Sequence, residues 1–216
     1  MDMNLLKNII PLLIKATGRT VELTIISVIL GSLIGVFIAL LKLSKVKVLY
    51  GLASFYTWII RGTPMLLQLY FFYYGLPFLG IELKAMTAAI IGLSLNSGAY
   101  MAEIIRGGIL SVDKGQFEAC RALGFTYGQT MKRIILPQAV RVLVPPTGNE
   151  FITILKDTSL VSVLGGMEEV MRVAQQSYSA TFRPLEPFLV AACIYLILTS
   201  VFTTVFGKIE KKVSVY

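Results

Sequence analysis

A run of apolar residues from 20 to 41 constrains the fold of this chain more than any other feature. The run contains one charged residue, Glu22, and it ends at a basic cluster that begins with Lys42. About 20 apolar residues are needed for an α-helix to cross the hydrocarbon core of a bilayer. The run therefore predicts a membrane-spanning helix, because the backbone polar groups of a lipid-embedded segment have to bond within that segment.

The composition extends this prediction to the whole chain. Of the 216 residues, 56% are hydrophobic and 15% are charged, and the mean hydropathy is +0.76. This is too apolar for a soluble domain, and the length allows about five spans with short loops. We predict an all-α, polytopic membrane helix bundle that forms a single domain over residues 1–216. The predicted spans are 20–41, 64–79, 85–105, 136–164 and 187–206, with a cytoplasmic loop over about 107–135.

Three local features refine the spans. Residues 3–15 are too short to cross a bilayer and predict a separate helix at the outer interface. Gly31 and Gly35 form a small-xxx-small pattern that allows a second helix to approach closely, although glycine is frequent in membrane helices in any case. Arg61 is costly inside a bilayer, so the sequence up to Pro64 predicts a break between an interfacial helix and the second span. A single long, kinked span is the alternative.

The positive charges give an orientation. The net charge is +8, and the predicted inner segments hold twelve basic residues against six in the outer segments. The inner residues are Lys42, Lys45, Lys47, Arg106, Lys114, Arg121, Lys132, Arg133, Arg141, Lys208, Lys211 and Lys212; the outer residues are Lys7, Lys15, Arg19, Lys84, Arg172 and Arg183. Basic residues gather in cytoplasmic loops, so we expect a multi-pass membrane protein with its N-terminus outside and its C-terminus inside.

The loop between the third and fourth spans is polar, basic and patterned. Residues 116–123 predict a short amphipathic helix with Phe117, Cys120 and Leu123 on one side. Gly124 is a good helix terminator because it accepts the left-handed conformation at little cost. A second helix is predicted over 126–136. Such a helix pair with apolar side chains is typical of a docking surface.

The same loop resembles the signature loop of importer-type ABC transporter permeases. The pattern E-A-x-x-x-G-x9-I-x-L-P appears here as Glu118, Ala119, Gly124, Ile134, Leu136 and Pro137, with Cys120 where a second alanine is usual. The runs RGTPMLLQLYFFYYGLP, LSLNSGAYMAEIIRGGI and GNEFITILKDTSL, together with the LPQA that ends the loop, resemble the polar amino-acid uptake branch of that family, which includes the histidine, glutamine and arginine permeases. The resemblance extends over residues 18–212.

This resemblance implies a type I ABC-importer (MetI-like) fold, a location in the inner membrane of a prokaryotic cell and a set of partners. An ATPase dimer would bind ATP and Mg, a second permease copy would complete a homodimer, and an extracellular solute-binding protein would deliver an amino acid. The ATPase would couple through Glu118, Ala119, Cys120, Leu123 and Gly124. The chain has no G-x-x-x-x-G-K-[ST] motif, so we expect a transport subunit that is not an enzyme and has no cofactor of its own.

Polar residues within the predicted spans are candidates for a substrate pathway. On the fourth span, Glu150, Thr153 and Asp157 share a helical face. On the third span the candidates are Asn96, Ser97, Tyr100 and Glu103. Intramembrane carboxylates are rare without a partner or a water-filled cavity. We therefore predict that these residues face a polar, preferably cationic, substrate.

Structural roles are the alternatives for the same residues. Glu150 or Asp157 could pair with Arg61 or Lys156, and Glu103 could pair with Arg106 three residues later. Asn96 and Ser97 could bond between helices. For the whole chain, an ion-coupled secondary transporter is the alternative function. An intramembrane enzyme is disfavoured because the chain contains no histidine, zinc-ligand cluster or G-x-S-x-G motif.

Overall fold

The structure, a computed structural model, describes residues 2–213 and begins with one very long helix. Helix α1 spans Met3–Leu43, and its N-cap, Asp2, accepts hydrogen bonds from the backbone N–H groups of Asn4 and Leu5. At 1.5 Å per residue α1 is about 60 Å long, roughly twice the hydrocarbon thickness. The prediction of a separate interfacial helix over 3–15 is therefore wrong. These residues, including Pro11, continue directly into the first span.

The remaining helices follow in chain order, and no strand is present between residues 2 and 213. They are α2 (Lys47–Gly62), α3 (Met65–Tyr70), α4 (Ala85–Leu110), α5 (Lys114–Ala122), α6 (Tyr127–Thr130), α7 (Leu136–Asp157), α8 (Val170–Thr181) and α9 (Leu185–Val213). By length and apolar composition, α1, α4 and α9 could each cross a membrane. The segment Met65–Leu79 is apolar but shorter.

Helices α1 and α4 pack against each other more closely than ordinary side chains would allow. A Cβ atom on Gly31 would lie 2.6 Å from the Cβ of Ser97, and one on Gly35 would lie 2.5 Å from the Cβ of Met101. Real Cβ atoms do not approach this closely, so the two glycines are required for the contact. The small-xxx-small prediction for α1 is confirmed.

The second predicted span is a composite element. Helix α2 ends at Gly62, and α3 begins at Met65 after an extended Thr63–Pro64 connection. A π-helical turn, Phe71–Gly75, and a 3₁₀ turn, Leu76–Leu79, carry the chain onward from α3. The predicted break after Arg61 is confirmed, and the alternative of one continuous span is wrong.

The second helix that the sequence predicts between the third and fourth spans is not a separate helix. Helix α6 is followed by a π-helical turn, Met131–Ile135, that leads straight into α7. The predicted separate helix over 126–136 is thus the start of a longer helix that ends at Asp157. A 3₁₀ segment, Thr158–Leu164, extends it to the predicted limit of the fourth span.

The segment between α7 and α9 is fixed by a buried carboxylate. Glu169 is fully buried at the start of α8, and its side chain accepts hydrogen bonds from the N–H groups of Met171 and Arg172 and from the hydroxyl of Tyr195 on α9. The N–H of Val170 donates to the Thr20 hydroxyl on α1, 3.3 Å away. Helix α8 is therefore held against both α1 and α9.

Candidate functional site

The break between α2 and α3 is held by the side chain of Gln68. Its amide nitrogen donates to the carbonyl oxygens of Ile60, at 2.7 Å, and Thr63, at 3.1 Å. Its amide oxygen accepts from Asn96 Nδ2, at 3.2 Å. Proline has no N–H, so a break at Pro64 leaves carbonyl groups that need other donors. Gln68 supplies them and connects the break to α4.

This geometry gives Asn96 a structural bond in addition to its predicted role. Gln68 is not among the predicted site residues, although it is a polar residue in an otherwise apolar segment. A buried amide can make up to four hydrogen bonds, so Asn96 retains capacity for another partner. The alternative of bonding between helices is confirmed for Asn96.

Glu150 is the most unusual side chain of the site. It lies on α7, is only 7% exposed, and its Oε1 has no hydrogen-bond partner within residues 2–213. The Ser97 hydroxyl, Asp157 and Arg61 all act on it, but none of the ion pairs among the described residues includes it. A buried ionised group without a counter-charge costs on the order of several kcal/mol, so a cation or water beside Glu150 would favour its charged form.

The other predicted residues of α7, Thr153 and Asp157, are more exposed than Glu150. Thr153 is exposed, and its hydroxyl donates to the Asn149 carbonyl, 3.0 Å away, which leaves the oxygen lone pairs available. Asp157 is half-buried at the last position of α7, next to the exposed Lys156. The internal pairing of Asp157 with Lys156 or Arg61 is not formed within the described residues.

Two residues of α4 extend this polar surface. The hydroxyl of Ser97 is buried and acts on the Glu150 carboxyl group where α4 packs against α7. The guanidinium carbon of Arg61 lies 5.1 Å from the centre of the Tyr100 ring, within the range of a cation–π interaction. Arg61 is therefore held by an aromatic face instead of by a carboxylate.

Glu103 does not belong to this surface. One of its carboxylate oxygens pairs with Lys42 Nζ, and the other accepts from Arg106 Nε at 3.0 Å and from its NH2 at 2.8 Å. Lys42 also donates to the Thr57 hydroxyl, 2.9 Å away. Both oxygens are occupied by cations, so the prediction that Glu103 binds substrate is replaced by its alternative, an ion pair that joins α1, α2 and α4.

The predicted coupling segment is exposed at the other end of α4. Helix α5 ends before Gly124, whose φ of +81° is the left-handed conformation expected for a terminator. Cys120 is buried and Phe117 packs towards Ile135, but Leu123 is 76% exposed. Leu123 differs from Cys120 in exposure because α5 ends at Ala122 and Leu123 is its C-cap. Leu123 and the 70% exposed Tyr127 form an apolar tip.

No group of three potential metal ligands occurs within the described residues. The chemistry of the polar surface is that of carboxylate, hydroxyl, amide and aromatic groups. These groups can bind and release a polar or cationic solute, and they contain no activated nucleophile.

Comparisons with known proteins agree with these observations. Residues 31–215 match the family described as "Binding-protein-dependent transport system inner membrane component". The chain is 42% identical over 204 residues to the arginine transport system permease protein ArtQ of Bacillus subtilis (strain 168), covering 94% of this chain and 93% of the relative. It is 43% identical to the putative glutamine transport system permease protein GlnP of Rickettsia bellii (strain RML369-C), with the same coverage.

Solved structures show the same architecture. A structure described as "Crystal structure of an amino acid ABC transporter with histidines" matches with a TM-score of 0.93 and 42% identity over 98% of this chain and 99% of that one. The inward-facing MetNI methionine ABC transporter matches with a TM-score of 0.81 at 21% identity, covering 99% and 100% of the two chains. The second likeness concerns the fold alone, and it confirms the predicted MetI-like bundle.

Proposed function

Because this chain belongs to the family of binding-protein-dependent transport system inner membrane components, we propose that it is the permease subunit of an ATP-driven importer for polar L-amino acids, with cationic ones preferred. As a member of this family it is a transport subunit of the inner membrane and not an enzyme. The names of its relatives, which refer to arginine and glutamine transport, support an amino-acid substrate. The buried carboxylate of Glu150, which forms no ion pair within residues 2–213, carries the proposal of a cationic preference.

The charges on and near α7 support a preference for cationic substrates. Glu150 and Asp157 lie on one face of α7, and the nearby Arg61 is directed to the Tyr100 ring. A carboxylate in a partly desolvated cavity attracts a cation more strongly than it would in water. A cationic ligand would also relieve the cost of leaving the charge empty. Ser97, Thr153 and Asn96 would then contribute hydroxyl and amide groups to the same polar pathway.

A charge-neutral substitution tests this proposal. Glu150→Gln preserves the side-chain shape and removes the charge. In vesicles that contain the assembled transporter, we expect this variant to lose stimulation of ATP hydrolysis by arginine by about tenfold more than stimulation by glutamine. Glu82→Gln, the same change in the exposed turn before α4, is the matched control. Equal effects of Glu150→Gln on both ligands would assign selectivity to the external binding protein.

The energy source would be a separate ATPase dimer that binds ATP and Mg. We propose that it contacts Glu118, Ala119 and the tip formed by Leu123 and Tyr127, with Gly124 setting the exit of the chain from α5. Cys120 would contribute from the buried side of α5, since it fixes the helix to the bundle. The exposure of two large apolar side chains on a polar segment supports a docking role, because such groups are otherwise withdrawn from water.

Assembly and orientation complete the proposal. A homodimer of permeases with two ATPase chains is expected, together with an extracellular solute-binding protein, because a short chain of this kind supplies only part of a pathway. The N-terminus would lie outside and the C-terminus inside, in agreement with the distribution of basic residues. Cross-linking of the purified complex checks the stoichiometry, and two different permease chains in equal amounts would contradict it.

A further inference from the structure

A half-open cavity of about 760 Å³ lies beside α1, and no residue of the surface that contains Glu150 lines it. Its floor is formed by apolar residues that include Ala16, Met167 and Val173. Its charged lining consists of Lys15, Arg19, Glu22 and Glu168, with Gln176 of α8 beside them. Two positive and two negative side chains therefore face one space, and their net charge is zero.

The depth of the cavity in the bilayer follows from helix geometry. Lys42, in its ion pair with Glu103, marks the inner end of the first span. Arg19 lies 23 residues earlier on the same continuous helix, which is about 35 Å at 1.5 Å per residue. The hydrocarbon core is about 30 Å thick, and 40–45 Å includes the head groups. Arg19 and Lys15 are thus at the level of the opposite head groups.

The charged groups in the cavity are only partly paired. Arg19 NH1 lies 2.6 Å from Glu22 Oε2, which leaves the other N–H groups of the guanidinium available. Among the described residues, the side chains of Lys15, Glu168 and Gln176 form no ion pair. Lys15 and Arg19 are one turn apart on the same face of α1, and like charges at this spacing repel each other. An anionic group between them would remove that repulsion.

An apolar surface continues from the cavity into the membrane. Ile25, Ile29 and Leu33 follow Glu22 on the same side of α1 at helical spacing. Ile29 is 57% exposed and Leu33 is 65% exposed. A molecule with its charged end in the cavity could extend aliphatic chains along this surface.

We propose that the cavity binds a zwitterionic phospholipid with a primary-amine head group, of the phosphatidylethanolamine type. The phosphate lies between Lys15 and Arg19, the ammonium group donates to Glu168, and the acyl chains follow the exposed side of α1. The balanced charge favours this head group over an anionic one, which would leave Glu168 without a counter-ion. A primary ammonium is favoured over a trimethylammonium because only the former has N–H donors.

Native mass spectrometry of the purified, delipidated full-length chain tests this proposal. With equal concentrations of palmitoyl-oleoyl phosphatidylethanolamine, phosphatidylglycerol and phosphatidylcholine, we expect retention of the first to exceed that of the others by about tenfold. Lys15→Gln and Arg19→Gln should each remove most of the retained lipid. Glu168→Gln should abolish the preference over phosphatidylcholine. Lys7→Gln, the same charge change at an exposed site on α1 outside the cavity, should change nothing.

Soluble competitors separate the possible sources of the same chemistry. Inorganic phosphate and glycerophosphoethanolamine should displace the lipid only weakly, because they lack acyl chains. Displacement of the lipid by millimolar glutamine or arginine would identify the cavity as an amino-acid site and overturn the proposal. Equal retention of the three lipids, or retention unaffected by both Lys15→Gln and Glu168→Gln, would also overturn it.

Discussion

The contact between α1 and α4 gives a sharp prediction, because it rests on two glycines. We expect Gly35→Ala to destabilise the protein, since the new Cβ would lie 2.5 Å from Met101 Cβ and 3.1 Å from the backbone nitrogen of Ala102. Neither atom is the end of a flexible side chain, so the helices themselves have to separate. Gly18→Ala is the matched control, because it adds a Cβ to the same helix with nothing within 4 Å.

The magnitude follows from the distances. Carbon atoms prefer separations of about 3.5–4.0 Å, so Gly35→Ala requires a shift of about 1 Å. A gap of that size forfeits roughly a quarter to a half of each dispersion contact nearby, and overpacking in a filled core costs about 1–3 kcal/mol. Alanine also gains about 1 kcal/mol over glycine in helix propensity, but the control includes this gain. The difference between the two variants should therefore be about 2–3 kcal/mol.

Thermal unfolding of the two purified variants in detergent measures this difference. For a chain of this size, 1 kcal/mol corresponds to a change in midpoint of about 2–4 °C, so Gly35→Ala should unfold about 5–10 °C below Gly18→Ala. The packing argument is refuted if the two variants unfold at the same temperature. It is also refuted if Gly35→Ala is more stable than the unaltered protein.

Three further predictions concern the predicted coupling segment, the ion pair of Glu103 with Lys42 and the N-cap of α1. Gly124→Val should uncouple ATP hydrolysis from uptake, because a β-branched residue is strained by about 1–2 kcal/mol at a φ of +81°. Gly128→Val adds the same side chain at a site with open space and without a positive φ, so its effect in the same uptake assay should be milder. Glu103→Gln should lower stability by about 3–5 kcal/mol by leaving Lys42 without its counter-charge, and adding Lys42→Met should restore most of the thermal midpoint. Hydrogen bonds from the first turn of α1 lower the pKa of Asp2 below its ordinary value of 3.8, so its contribution to stability is present above about pH 4 and is lost as the pH falls further; Asp2→Asn should remove that part of the acid dependence of unfolding.

The sequence by itself determined the class of the protein and much of its local structure. Apolar runs have to form helices in a membrane, because only a helix pairs its backbone N–H and C=O groups within a single segment. The break after Arg61, the close approach at Gly35 and the terminator at Gly124 were predictable, because each depends on the local chemistry of one residue type. The resemblance to permeases rests on motifs in the same order along the chain, and the family match confirms it.

Tertiary structure alone decided which polar groups are free and which are occupied. Glu103 and Glu150 are both carboxylates on predicted spans, yet one is held by Lys42 and Arg106 while the other is buried without an ion pair among the described residues. This difference depends on a lysine 61 residues away in the chain, which no helical spacing could reveal. Gln68 likewise became significant only when the fold placed it between a broken helix and Asn96, because hydrogen bonding is set by position in space and not by residue type.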